Sequence, residues 1–150
     1  MDERNRRWRV IGDTRVFLLM GGVLAWWALA VSLYAADLFE FPVPVGTDGV
    51  QRATVEADSY SFTPSHLVVK GGKPVELIFK SVTWLVPHNL ILDDPRSGLR
   101  IHEEIPAGES VTIKFTPAVT GSFAIYCDKK LLFFKSHREK GMEAVLEVRP

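Results

Sequence analysis

The sequence predicts an all-β sandwich of about seven or eight short strands, preceded by one membrane-spanning helix. Three observations carry this. Over residues 50–150, short apolar runs alternate with turn residues, at the spacing of a sandwich built from short strands. No segment between those runs sustains a 3.6-residue apolar period, which argues against a parallel sheet with crossover helices. Residues 16–36 (VFLLMGGVLAWWALAVSLYAA) carry no charge over 21 positions, and about 20 apolar residues suffice to cross a bilayer as a helix.

The elements follow in order. Residues 1–15 form a basic head, with Arg4, Arg6, Arg7, Arg9 and Arg15 set against Asp2, Glu3 and Asp13. A basic flank stays on the cytoplasmic side, so the rest of the chain is expected in the periplasm or at the cell exterior. For residues 16–36 a cleaved signal peptide is the rival to an uncleaved anchor. Its best small-x-small site, Ala28-Leu29-Ala30, falls inside the apolar run rather than after it. Both readings deliver the domain to the same compartment. Residues 37–49 (DLFEFPVPVGTDG) are a linker whose prolines and glycines can neither continue a helix nor join a central strand.

The domain then occupies residues 50–150, with strands expected at 51–57, 65–69, 74–79, 88–92, 100–105, 111–115, 123–127 and 143–148. Gly71-Gly72, the polar stretch 93–98, Pro106-Ala107-Gly108 and Gly121-Ser122 supply the turns between them. Val75, Leu77 and Phe79 alternate onto one face of the third strand, and 111–115 and 143–148 alternate in the same way. Residues 129–135 read as a helical turn or a loop.

Composition narrows the function. The chain is 47% hydrophobic and 24% charged, with zero formal net charge, which is the profile of a folded domain rather than a disordered one. No Lys/Arg-rich footprint for nucleic acid lies in the body of the chain. There is one cysteine, Cys127, so no disulfide framework exists. A lone thiol in an oxidising compartment calls for an occupant, and a metal is the sharper reading beside a plain core cysteine.

Cys127, His137 and Met142 each sit at or just after the end of one expected strand and before the start of the next, and His88 opens a strand distant in sequence. Loops at one end of a sandwich can gather all four. Two imidazoles, a thiolate and a weak thioether are the donors of an electron-transfer copper site. Thiolate and thioether favour Cu(I), and imidazole accepts both oxidation states. His66 and His102 lie within strands, away from these loops, and are read as non-ligands.

At this point a resemblance becomes specific. Val86-Pro87-His88-Asn89 resembles the first-ligand segment of the plastocyanin- and azurin-like blue copper proteins, the cupredoxins. Tyr126-Cys127, His137 and Gly141-Met142, followed by an alternating final strand, resemble their C-terminal ligand loop. Ser61-Phe62-Thr63-Pro64, Gly71-Gly72-Lys73-Pro74 and Ala107-Gly108-Glu109-Ser110 fit the same order. The resemblance covers about residues 50–150 and implies a Greek-key sandwich binding one copper ion. It implies His88, Cys127 and His137 as equatorial ligands and Met142 as the axial one, with Asn89 tying the two ligand loops by hydrogen bonds. Nine residues separate Cys127 from His137, more than is usual in small carriers of this family. Such a loop could admit a water or an anion, or shift the potential.

The expected function is that of a membrane-anchored one-electron carrier cycling Cu(I) and Cu(II), or an electron-transfer subunit of a membrane redox complex. The partners would be redox proteins such as a membrane oxidase or a cytochrome. Leu131, Leu132, Phe133 and Phe134, flanked by Lys129, Lys130 and Lys135, are either a flap on the sandwich or an exposed docking patch. A copper-handling protein, chaperone or scavenger, is the alternative. A copper-dependent reductase is third, because Glu103-Glu104 on an edge strand is read as solvated.

Overall fold

Each of the eight alternating runs becomes a strand in a computed structural model whose described residues are 40–150. The basic head and the helix expected over residues 16–36 lie outside them. Among the described residues no helix is long and apolar enough to cross a membrane.

Within the described residues ten strands form two sheets. They are β1 (Phe41–Pro42), β2 (Gln51–Asp58), β3 (Ser61–Thr63), β4 (His66–Lys70), β5 (Val75–Ser81), β6 (His88–Asp94), β7 (Leu99–Ile105), β8 (Ser110–Phe115), β9 (Gly121–Tyr126) and β10 (Glu143–Arg149). One sheet has the order β1-β4-β10-β9-β6-β7, and the other β3-β2-β5-β8. The period-2 pattern does what it predicts. In β5, Val75, Leu77 and Phe79 are buried, and in β10, Ala144, Leu146 and Val148 are buried. Leu146 lies between Leu67 of β4 and Phe123 of β9, and the Phe62 and Phe79 rings meet edge-on at 5.8 Å inside the core. His88 to Leu92 in β6 are buried at every position, which explains why Leu90, Ile91 and Leu92 are apolar in succession instead of alternating.

Two strands have no signal in the sequence. β1 spans two residues and β3 three, too few for alternation to register. β1 sits at the sheet edge, where Pro42 forfeits no ladder bond. The described part of segment 37–49 is therefore laid along the sandwich. The Val43 N–H donates to the Val68 carbonyl at 2.9 Å, and the Glu40 carboxylate meets Arg149 at 2.7 Å. Residues 129–135 form a loop, and a single 3₁₀ turn, Arg138–Lys140, follows it.

This topology collects chain ends. β9 and β10 are an antiparallel pair with Tyr126 opposite Glu143, so the residues just beyond them, Cys127 and Met142, meet at one end of the sandwich. β6 runs antiparallel to β9, with Ile91 beside Tyr126, so its first residue, His88, lies at that same end.

At the seam between the sheets Gln51 is fully buried. Its Nε2 donates to the Lys70 carbonyl at 3.0 Å, and its Oε1 accepts the Lys70 N–H at 2.6 Å. Gln51→Ala removes this inter-sheet clamp and leaves buried polar groups unpaired. The expected loss is about 1–3 kcal/mol, read as a lower urea midpoint with unchanged slope for residues 40–150.

Candidate metal centre

Cys127 leaves β9 fully buried, and its N–H donates to the Met142 carbonyl at 3.2 Å. The nine-residue connection to His137 does not sprawl. The His137 N–H donates to the Lys129 carbonyl at 2.8 Å, and the Met142 N–H donates to the His137 carbonyl at 2.9 Å. The intervening stretch is thereby pinched off as an excursion, and His137 returns to within reach of Cys127. The 3₁₀ turn then ends at Gly141, whose φ of 99° no side-chain-bearing residue adopts without strain. That reversal delivers Met142 to the start of β10.

The donors converge. Cys127 Sγ lies 3.4 Å from His137 Nδ1, and the His88 and His137 rings are 5.2 Å apart. One ring nitrogen of each histidine and the cysteine sulfur all lie within 4.8 Å of one another. Met142 is fully buried beside them in sequence and through its backbone bonds. The longer loop thus brings together the three residues that the sequence singles out from three separate segments.

The surroundings prepare these atoms. The Thr83 hydroxyl donates to the Val86 carbonyl at 2.7 Å, and its oxygen stands 3.2 Å from His88 Nε2. The network therefore assigns the ring proton to Nε2 and leaves the lone pair on Nδ1. That Nδ1 is buried and has no hydrogen-bond partner among the described residues. The Asn89 N–H points at Cys127 Sγ at 3.4 Å. The Asn89 side-chain amide donates to Asp128 at 2.7 Å and accepts the Asp128 N–H at 3.1 Å, a reciprocal pair that ties β6 to the ligand loop. Burial, reinforced by the neighbouring His137, pushes the His88 pKa down to about 4. Burial and then Lys140 and Lys129 lower that of His137. Burial raises the Cys127 thiol, against the partial relief of its backbone hydrogen bonds. Both imidazoles are consequently neutral at pH 7 and the thiol is protonated.

Thr83, Asp128 and Tyr60, whose ring meets that of His137 edge-on at 5.2 Å, were not legible as site residues. They join it through space, at no characteristic spacing. His66 stands apart: its Nε2 lies 2.8 Å from Glu147, and Arg149 pairs with both Glu147 and Glu40. This second His-Glu-Glu group is already satisfied by a guanidinium. His102, Glu103 and Glu104 are exposed.

Comparison with known proteins fits this geometry. The family model for the cupredoxin-like domain matches residues 21–142. No match was found among curated protein sequences. Among solved structures, the chain is similar to the metal-binding domain of the Streptococcus pneumoniae D39 Cu(I)-exporting P-type ATPase CopA, at 20% identity and TM-score 0.53, covering 73% of this chain and 94% of that one. It is similar to auracyanin A, a blue copper protein from Chloroflexus aurantiacus, at 18% identity and TM-score 0.52, over 67% of this chain and 100% of that one. The copper-containing nitrite reductase of Thermus scotoductus matches at 18% identity and TM-score 0.53, over 76% of this chain but only 29% of that one. At such identities these structures establish a shared fold. With the family model spanning most of its length, this chain belongs to the cupredoxin-like domain family.

Proposed function

We propose that this protein is a membrane-anchored, single-copper, one-electron carrier whose ligands are His88, Cys127 and His137, with Met142 as a weaker fourth. The observation that carries the reading is the unpartnered, buried His88 Nδ1 within a buried His-Cys-His group. A fully buried nitrogen lone pair with nothing to accept costs stability, and a metal would satisfy it. The donor set, two imidazoles and a thiolate, suits copper. Bound there, copper supplies a one-electron Cu(I)/Cu(II) couple.

The chain's own residues do the rest. Thr83 holds the His88 tautomer. Asn89 supports the sulfur with its N–H and clamps Asp128. The hydrogen-bonded loop keeps the donors in place, so the arrangement does not need to rebuild when the oxidation state changes. Burial of Cys127 and Met142 keeps water out. A freely exchanging copper handler would want looser donors than these. Residues 16–36 as an anchor would confine the domain near membrane redox partners and raise its effective concentration there, with the domain in the periplasm or at the cell exterior.

Loading with Cu(II) is expected to give a strong red-region absorption band with narrow copper hyperfine splitting, both abolished in Cys127→Ala. A weakly coloured site that surrenders copper readily would instead favour copper handling. Asn89→Ala should weaken copper binding roughly 10–100-fold, read by competition with a chelator of known affinity. With both imidazoles neutral and the thiol protonated, copper uptake at pH 7 should release about one proton. Titration calorimetry in buffers of different ionisation enthalpy checks this, and near-zero release would contradict the assigned protonation states.

Without metal, the folded His88 pKa of about 4 lies below the ordinary 6.5. The unfolded chain therefore binds the proton first, and the apo-domain should lose stability as pH falls from 6.5 toward 4. The raised Cys127 pKa acts at the other end, with stability lost as pH rises above 9.0, the thiol's ordinary value. Urea midpoints across this range should therefore peak between the two windows.

A further inference from the structure

We propose that the metal-binding end of the sandwich docks onto the surface of an anionic phospholipid bilayer. This deepens the function proposed above by naming what faces that end, and it rests on the membrane anchoring proposed there.

Two independent observations converge. The first is an apolar crest. Trp84 is 84% exposed, Leu85 76%, Leu132 74% and Phe133 83%. They come from two loops that adjoin, because Leu85 and Leu131 line one cavity of about 250 Å³ beside His137. The crest projects and does not lie flat. The Phe134 N–H closes a tight turn onto the Leu131 carbonyl at 3.0 Å, with Leu132 held at φ 49°. A leucine in the left-handed region is strained, and here the strain lifts two apolar side chains into solvent. Among the described residues nothing covers them. Tryptophan, phenylalanine and leucine on a protrusion are the residues that enter the headgroup and acyl boundary.

The second is charge. Residues 128–140 carry Lys129, Lys130, Lys135, Arg138 and Lys140 against Asp128 and Glu139, five cations against two anions. Asp128 is engaged by Asn89, and Lys130 and Lys135 form no ion pair among the described residues. Lys129 already pairs with Glu104 and Arg138 with Glu143, and the remaining lysines beside the apolar tip complement anionic headgroups.

The test uses the full chain with Trp8→Phe, Trp26→Phe and Trp27→Phe, leaving Trp84 as sole emitter, reconstituted in nanodiscs carrying brominated acyl chains. With phosphatidylglycerol in the disc, most Trp84 emission should be quenched and acrylamide access lost. Lys130→Glu with Lys135→Glu, or Phe133→Ser, should restore emission. Each charge reversal should lower the docked-to-free ratio roughly fivefold or more. Trp84 open to acrylamide in every lipid overturns the proposal. So does quenching that is indifferent to lipid charge, burial of Trp84 that requires two copies per disc, or failure of the chain to float with the discs. Loss of the copper spectrum with Trp84 still quenched would sink electron transfer and leave the membrane contact standing.

Discussion

The metal centre depends on one closure, the His137 N–H to Lys129 carbonyl bond at 2.8 Å, backed by Met142 N–H to the His137 carbonyl at 2.9 Å. The constraint behind it is simple. Donor atoms must meet within a few ångströms, yet nine residues separate Cys127 from His137. An open loop of that length would lose considerable entropy in bringing its ends together and would leave the imidazole mobile. Backbone bonds at both flanks of the excursion convert it into a short ligand loop with an appendage. The appendage is then free to serve a different purpose from the site beneath it.

The rest of the centre is a polar group maintained against the tendency of a core to exclude it. Two imidazoles and a thiol are buried among apolar neighbours, and each has its pKa moved toward the neutral form by that burial. Neutral forms limit the cost of burial. Among the described residues nothing pairs with the buried His88 Nδ1, the observation on which the proposed metal site rests. Thr83 and Asn89 supply the hydrogen bonds that orient the donors, a division between ligand and supporting residue common to metal centres.

The outer surface of the same end has the opposite character. Apolar side chains that would stabilise a core stand in solvent on a strained turn, next to lysines. The sandwich beneath carries a buried core from both sheets to which these side chains do not belong. The membrane contact proposed above would account for this exposure.

Sequence alone predicted the sandwich and singled out His88, Cys127, His137 and Met142, of which the structure gathers the donor atoms of the first three. Strands of five to eight residues leave a period-2 trace, and a lone cysteine with histidines and a methionine at strand ends is a chemical signature. Cupredoxin membership was legible from the order of those segments and is shown by the family model. Tertiary structure alone decided the rest. β1 and β3 are too short for a pattern, and the half-linker from Glu40 onward is held by Arg149, more than a hundred residues distant. Thr83 and Asp128 act through hydrogen bonds whose partners no spacing reveals, and Trp84 and Leu85 complete an apolar crest of which the sequence displayed only Leu131 to Phe134. Periodicity and residue chemistry are local properties that a chain records in order. The pinching of a loop and the gathering of distant side chains are set by three-dimensional packing, which that order does not record.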